Sequence, residues 1–177
     1  MPALSVILLM IGAAATAQPV SREEALASAY PGASIRTEQL FLTMAQQTLV
    51  AQAAGTDVGS AFVVRFVASK DGQVIGRAYV DTHTVRTKKE SLLVMLDGHG
   101  RVKRVEVTAF LEPAEYRAPE AWLRQYTDRT LAPDLALNRA IRPIAGATLT
   151  ARATNNAVRR VLAIDQAVQV TLPGSPK

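Results

Sequence analysis

Thr148 and Thr150 close a run of small residues, Ile144-Ala145-Gly146-Ala147-Thr148-Leu149-Thr150. Glycine and alanine carry little bulk, so a ligand can come close to the backbone there. A helix is expected to begin near Thr148, and the first turn of a helix presents unpaired amides and the positive end of the dipole. Together these features make an anion site suited to a phosphate group. Arg142 and Arg152 add positive charge on either side. The competing reading of the same residues is architectural, with Thr148 as an N-cap and Gly146 as a turn glycine.

Other chemistry-bearing residues are spread along the chain. Residues 81–88 read Asp-Thr-His-Thr-Val-Arg-Thr-Lys, a hydroxyl-rich bridge between two expected strands that puts Thr84 and Thr87 where they can line a ligand. His83 is either a donor to a bound group or a surface polar residue, and His99 falls in a turn. Glu112 and Pro113 follow a strand, with Tyr116 just beyond them. Trp122 and Tyr126 stand at helical spacing, which suits core anchoring; Trp122 alternatively stacks on a flat ligand. Arg86, Lys88 and Lys89 either face solvent or offset ligand charge. Nothing in the sequence joins Asp81 and Glu112 into an acid–base pair, so no catalytic residue is expected. The chain has no cysteine and two histidines. That excludes disulfides, thiolate metal sites, iron–sulfur clusters and cysteine nucleophiles, and no metal ligand is expected.

These residues need elements to position them. Ser21-x-x-Glu24 and Thr43-x-x-Gln46 are capping boxes, opening helices over 22–29 and 44–54; Pro31-Gly32 and Gly55 stop them. Weak alternation over 34–42 predicts a strand. Residues 61–69 and 73–82 form a hairpin around Asp71-Gly72. Strands over 90–96 and 101–111 follow, joined by the glycine-rich turn 97–100. Pro119 is expected at the first position of a short helix over 120–127, and 128–143 is expected to be irregular. The last helix is expected from Thr148 to about Ile164, with Ala157, Val158, Val161, Leu162 and Ala163 buried and Arg152, Arg159 and Arg160 facing out. Hairpin-linked strands without a βαβ rhythm predict an α+β fold, an antiparallel sheet of four to five strands packed against helices on one side.

With these elements in view, Gly146-Ala147-Thr148-Leu149-Thr150 ahead of an alanine- and arginine-bearing helix resembles the FMN-binding domain family. That family includes the periplasmic subunits of sodium-translocating NADH:quinone reductase and of the Rnf complex, and domains of nitrous-oxide-reductase regulators. Its signature is similar to Asp-x-x-Ser/Thr-Gly-Ala-Thr, whose last threonine takes FMN through a phosphoester made from FAD by a flavin transferase. The resemblance implies that Thr148 is the acceptor and that Gly146, Ala147, Leu149 and Thr150 bind the cofactor beside it. Arg142 stands at the acidic position and Ala145 at the Ser/Thr position. Glu112 and Pro113 fall where the family carries a Glu-Thr-Pro-Gly-like loop near the flavin, and Tyr116 follows. The stretch with His83, Thr84 and Thr87 resembles small exported members. The resemblance covers about residues 60–164, and the fold it implies is FMN-binding domain-like.

The function so implied is electron transfer rather than substrate conversion, with a membrane-bound or periplasmic redox partner. A flavin-free or non-covalently FMN-binding accessory module is the first alternative and a flavin-dependent reductase the second. No strand-borne Gly-x-Gly-x-x-Gly supports a dinucleotide site. The net charge is +5. The basic residues are dispersed and not interleaved with aromatics, so nucleic acid is not an expected partner. Residues 3–16 are apolar and close on Ala15-Thr16-Ala17, a pattern of a secretory signal cut after Ala17. The run is too short to span a bilayer comfortably and lacks a basic n-region. The expected layout is a signal peptide over 1–17, one domain over 18–166 and a flexible tail over 167–177, located in the periplasm with possible attachment to the inner membrane left open.

Overall fold

The computed structural model describes residues 21–171. The expected leader over 1–17 and the tail from 172 onward lie outside the described residues.

Reciprocal caps set the first two helices where the sequence puts them. In α1 (Arg22–Ala29) the Glu24 amide donates to Ser21 Oγ and the Ser21 amide donates to the Glu24 carboxylate. In α2 (Met44–Ala54) Thr43 and Gln46 exchange the same two bonds, and Gly55 takes the left-handed conformation at the end. Each such N-cap contributes about 1 kcal/mol. The strands are β1 (Ser34–Phe41), β2 (Phe62–Lys70), β3 (Gln73–Thr84), β4 (Lys89–Asp97) and β5 (Val102–Phe110). They form one antiparallel sheet in chain order, β1-β2-β3-β4-β5. The fold is therefore α+β, as the hairpin pattern predicts.

Helices cover both faces rather than one. On one face Val63, Tyr79, Leu92, Val94, Leu96, Val105 and Val107 pack beneath α4 (Thr148–Thr171), α2 and the segment after β5. On the other, Ala25, Leu26, Ala29 and Tyr30 of α1 pack on Phe66, Ala68, Ala78, Leu93 and Met95. The reason lies in β4. Its residues Leu92 to Leu96 are apolar at five successive positions and all fully buried, the mark of a strand covered on both sides. Gly76 lets the second core close. A Cβ there would run into the Tyr30 ring, whose hydroxyl donates to the carbonyls of Arg77 (2.8 Å) and Leu96 (2.7 Å).

After β5 the chain makes a short 3-10 turn, Ala114–Tyr116. The helix expected over 120–127 is α3 (Glu120–Leu123) continued by a 3-10 turn, Arg124–Tyr126, with Pro119 at the N-cap and not at the first helical position. Residues 128–143 contain no regular element apart from one isolated bridge, Leu137 to Ile141.

The last helix departs from expectation in two ways. It runs through Thr171, past the end expected near Ile164 and into the segment expected to be tail. Tertiary contacts extend it: Arg77 clamps Asp165 through two bonds of 2.6 and 3.0 Å, Tyr79 donates to the same carboxylate, and Val168 is buried. Of the three arginines expected to face out, only Arg152 does. Arg159 donates to the carbonyls of Ala53 and Ala54 at the end of α2, and to those of Ala132 and Leu135. The Ala53 and Ala54 carbonyls close α2, where the last carbonyls of a helix have no donor within it. Arg160 is drawn in by a buried carboxylate, Asp81. No helix among the described residues is long and apolar enough to cross a membrane.

Candidate functional site

A cleft of about 490 Å³ opens at the N-terminal end of α4. Three segments distant in sequence line it: the turn between β3 and β4, the stretch after β5, and the small-residue run before α4.

The turn is set by Glu112. Its Oε1 accepts from the amides of Arg86 (3.2 Å), Thr87 (2.7 Å) and Lys88 (2.8 Å), and the Thr87 hydroxyl lies 3.4 Å away. Converging amides form a nest for an anion, and here the carboxylate of the chain fills it. The bonds from the Thr87 and Lys88 amides hold the Glu112 carboxyl below the usual glutamate range. Glu112 thus ties the stretch after β5 to the β3–β4 turn, and Thr87, Pro113 and Tyr116 face the cleft around that tie.

The small-residue run supplies the opposite wall. Gly146 has φ of 75°, a left-handed conformation that turns the chain into the helix. The first helical bond runs from the Ala151 amide to the Ala147 carbonyl at 3.0 Å. The amides of Thr148, Leu149 and Thr150 stand ahead of it and have no partner within the helix. Thr148 is the first residue of α4, so the N-cap position belongs to Ala147, whose methyl group cannot cap. The architectural reading of Thr148 as N-cap therefore fails. Its side chain is exposed at the cleft, while Thr150 is buried in the cleft wall. Leu149 and Tyr116 leave apolar surface open, at 49 % and 43 % exposure.

No protein-family model, curated protein or solved structure matches this chain.

Of the residues that the resemblance assigns to the cofactor, the cleft gathers all but His83 and Thr84; Val85 and Arg86 also line it, whereas Lys88, Lys89, Arg142 and Arg152 do not. Trp122 is not among its lining residues. The indole donates to the Arg142 carbonyl (2.6 Å) and packs edge-on against Tyr126, so it anchors the approach to the small-residue run. Gln125 accepts from the Arg142 amide, so both backbone groups of Arg142 are held.

His83 and Thr84 border a second depression of about 470 Å³, beside Asp57, Asp81 and Arg160. The His83 ring is held between two carboxylates, Nδ1 at 2.9 Å from Asp81 and Nε2 at 2.9 Å from Glu90. A ring that bonds a carboxylate at each nitrogen does so as the imidazolium. Burial opposes that charge, but the bonds to Asp81 and Glu90 outweigh it and raise the imidazole pKa above its ordinary value. Asp81 also takes two bonds from Arg160, at 2.7 and 2.8 Å. Burial works against its charge as well, yet His83 and Arg160 hold its carboxyl below the usual range. Thr154 donates to Glu90 from α4. His83 is therefore taken up by a buried ionic network, and its ring is not directed at the cleft as a free donor. Among the described residues no group of three or more His, Asp or Glu is arranged to hold a metal ion.

The network had one sequence signal. Asp81 and His83 are two apart in a strand and share a face, and His83 lies opposite Glu90 in the hairpin. Arg160 could be joined to them only by knowing how α4 lies on the sheet.

Proposed function

We propose that this chain is an exported FMN-binding electron-transfer protein, with the FMN phosphate esterified to Thr148. The observation that carries the reading is the cleft, where a free threonine hydroxyl, unpaired helix amides and open apolar surface meet. Its volume falls within the roughly 300–1,000 Å³ usual for cofactor pockets. The residues fit the group. The amides of Thr148, Leu149 and Thr150 would hold the phosphate, and Leu149, Pro113 and Tyr116 offer apolar surface to a flat ring system. In the attachment step Thr148 Oγ1 forms a bond to the flavin-side phosphorus of FAD, the pyrophosphate bond breaks, AMP leaves and the hydroxyl proton is lost. A flavin transferase would promote that step.

FMN, when bound, supplies transfer of one or two electrons. This chain contributes placement and local charge. Glu112 fixes the β3–β4 turn, and Arg86 stands at the cleft as a cation able to favour an anionic form of a bound ring. Through Oε1 Glu112 is committed to the three amides of the turn, so its role at the cleft is to hold the wall in place. Export rests on the apolar leader ending in Ala15-Thr16-Ala17, and the redox partner would be membrane-bound or periplasmic.

The test is the intact mass of the denatured protein after co-expression with a flavin transferase. The expected result is a gain equal to FMN less water on the peptide bearing Thr148. An unmodified mass from a yellow native protein would overturn the ester and leave non-covalent FMN. An unmodified, colourless protein would make the chain a flavin-free module.

A further inference from the structure

The two outer strands of the sheet are treated differently. The outer edge of β5 is engaged at two points: Val102 exchanges backbone bonds with Arg129 (2.9 Å) and Asp128 (2.7 Å), and Arg117 donates to the Val107 carbonyl. Among the described residues nothing pairs with the outer edge of β1. Its residues are exposed or half-buried from end to end. A bare edge of eight residues is a template for another strand.

We propose that β1 pairs antiparallel with β1 of a second copy of this chain, about Thr37, joining two sheets into one of ten strands. The register follows from symmetry. In a two-fold antiparallel pair one residue must face itself. Centring on Arg36 or on Glu38 would set like charges directly opposite one another, which is unfavourable. Centring on Thr37 sets Arg36 of each copy opposite Glu38 of the other, and no other register does so. Arg36 is largely exposed at its side chain and already reaches Glu38 of its own strand, so in the pair two arginines and two glutamates alternate across one face. Glu38 is backed in turn by Arg65.

The opposite face agrees. Ile35 then faces Gln39 of the second copy, and Phe41 of that copy lies diagonally from Ile35, within reach of an aromatic ring. Ile35 and Phe41 are large apolar residues left exposed, Phe41 at 75 %, and Phe41 already packs against exposed Phe62 at 5.2 Å. The pairing would shelter this apolar surface and satisfy the strand edge in one contact. It does not depend on whether the cleft holds FMN.

Because the chain has no cysteine, single cysteines report the register directly. In the full chain, Thr37→Cys should form a disulfide-linked dimer under mild oxidation. Ile35→Cys should link to Gln39→Cys in a mixture, and Gln39→Cys should not link to itself. Sedimentation equilibrium should give twice the chain mass, and Arg36→Glu should weaken the dimer about tenfold by replacing two attractive pairs with repulsive ones. Arg36 is exposed, so its exchange leaves the fold intact, which circular dichroism checks. A monomeric mass at the highest concentration reached, a dimer indifferent to Arg36→Glu, or Gln39→Cys linking to itself as readily as Thr37→Cys would each overturn the proposal.

Discussion

The first turn of α4 and its middle turns lie on the same sheet, but their polar groups are in opposite states. At the first turn, helix amides precede any helical bond, the Thr148 hydroxyl is exposed, and Leu149 and Tyr116 leave apolar surface uncovered. Further along the helix, Thr154 and Arg160 enter a largely buried network in which His83 bridges Asp81 and Glu90. Groups already bonded to each other hold the molecule in shape. Groups that face open volume without partners are those that a ligand can still satisfy. Glu112 stands between the two cases: it lines the cleft, yet its bonds go to the turn it organises.

Breaking each region separately tests this division. The largest effect is all-or-none: Thr148→Ala should abolish covalent flavin, seen as loss of protein-bound fluorescence on a denaturing gel. Its stability should stay within about 0.5 kcal/mol of the parent in urea unfolding. Asp81→Ala should do the reverse. It leaves Arg160 and His83 buried without their shared counter-ion and should cost about 3–5 kcal/mol in the same unfolding experiment. Whatever protein remains folded should still take flavin at Thr148. Equal loss of flavin in both variants would erase the distinction between the regions.

Smaller changes sharpen it. A Cβ at Gly146 would meet nothing within 4 Å, so the penalty of Gly146→Ala is conformational only. The left-handed backbone should cost about 1–2 kcal/mol, and flavin loading should slow as the entry to α4 shifts. The smallest effect is in pH. His83 has a raised pKa, so its contribution is fully present below the ordinary value of 6.5 and is lost as pH rises through the folded value. Asp81 has a lowered pKa, so its contribution is present above 3.8 and is lost as pH falls through the folded value. Thermal unfolding of the parent should therefore weaken on the alkaline side, and His83→Gln should flatten that decline. An unchanged alkaline limb would remove His83 from the network.

Most elements are legible because their signals are local. Two capping boxes set helix starts, Asp71-Gly72 closes a hairpin in the left-handed conformation, and alternation in β5 marks its buried face. The cleft is partly legible for the same reason, since small residues before a helix form a local pattern. What the chain hides is set by long-range packing. The covering of both sheet faces depends on α1 reaching back over β4, and the inward turn of Arg159 and Arg160 depends on the Ala54 carbonyl, 105 positions before Arg159, and on the Asp81 carboxylate, 79 positions before Arg160. The extension of α4 rests likewise on Arg77, 88 positions before Asp165. A helical wheel places arginines outside by default, and only the buried acceptors reverse that choice.

The order of the sheet has a consequence in time. Each strand pairs with the strand beside it in sequence, so hairpins can zip as the chain appears from its N-terminus. The helix that completes the larger core is the last described element to arrive. Until it docks, the turn at Arg86 and the stretch at Glu112 have no opposite wall, and Thr148 is one hydroxyl on an unfolded chain. A modifying enzyme that recognised the assembled cleft would act only after folding was finished, and the attached group would serve as a seal of a completed molecule.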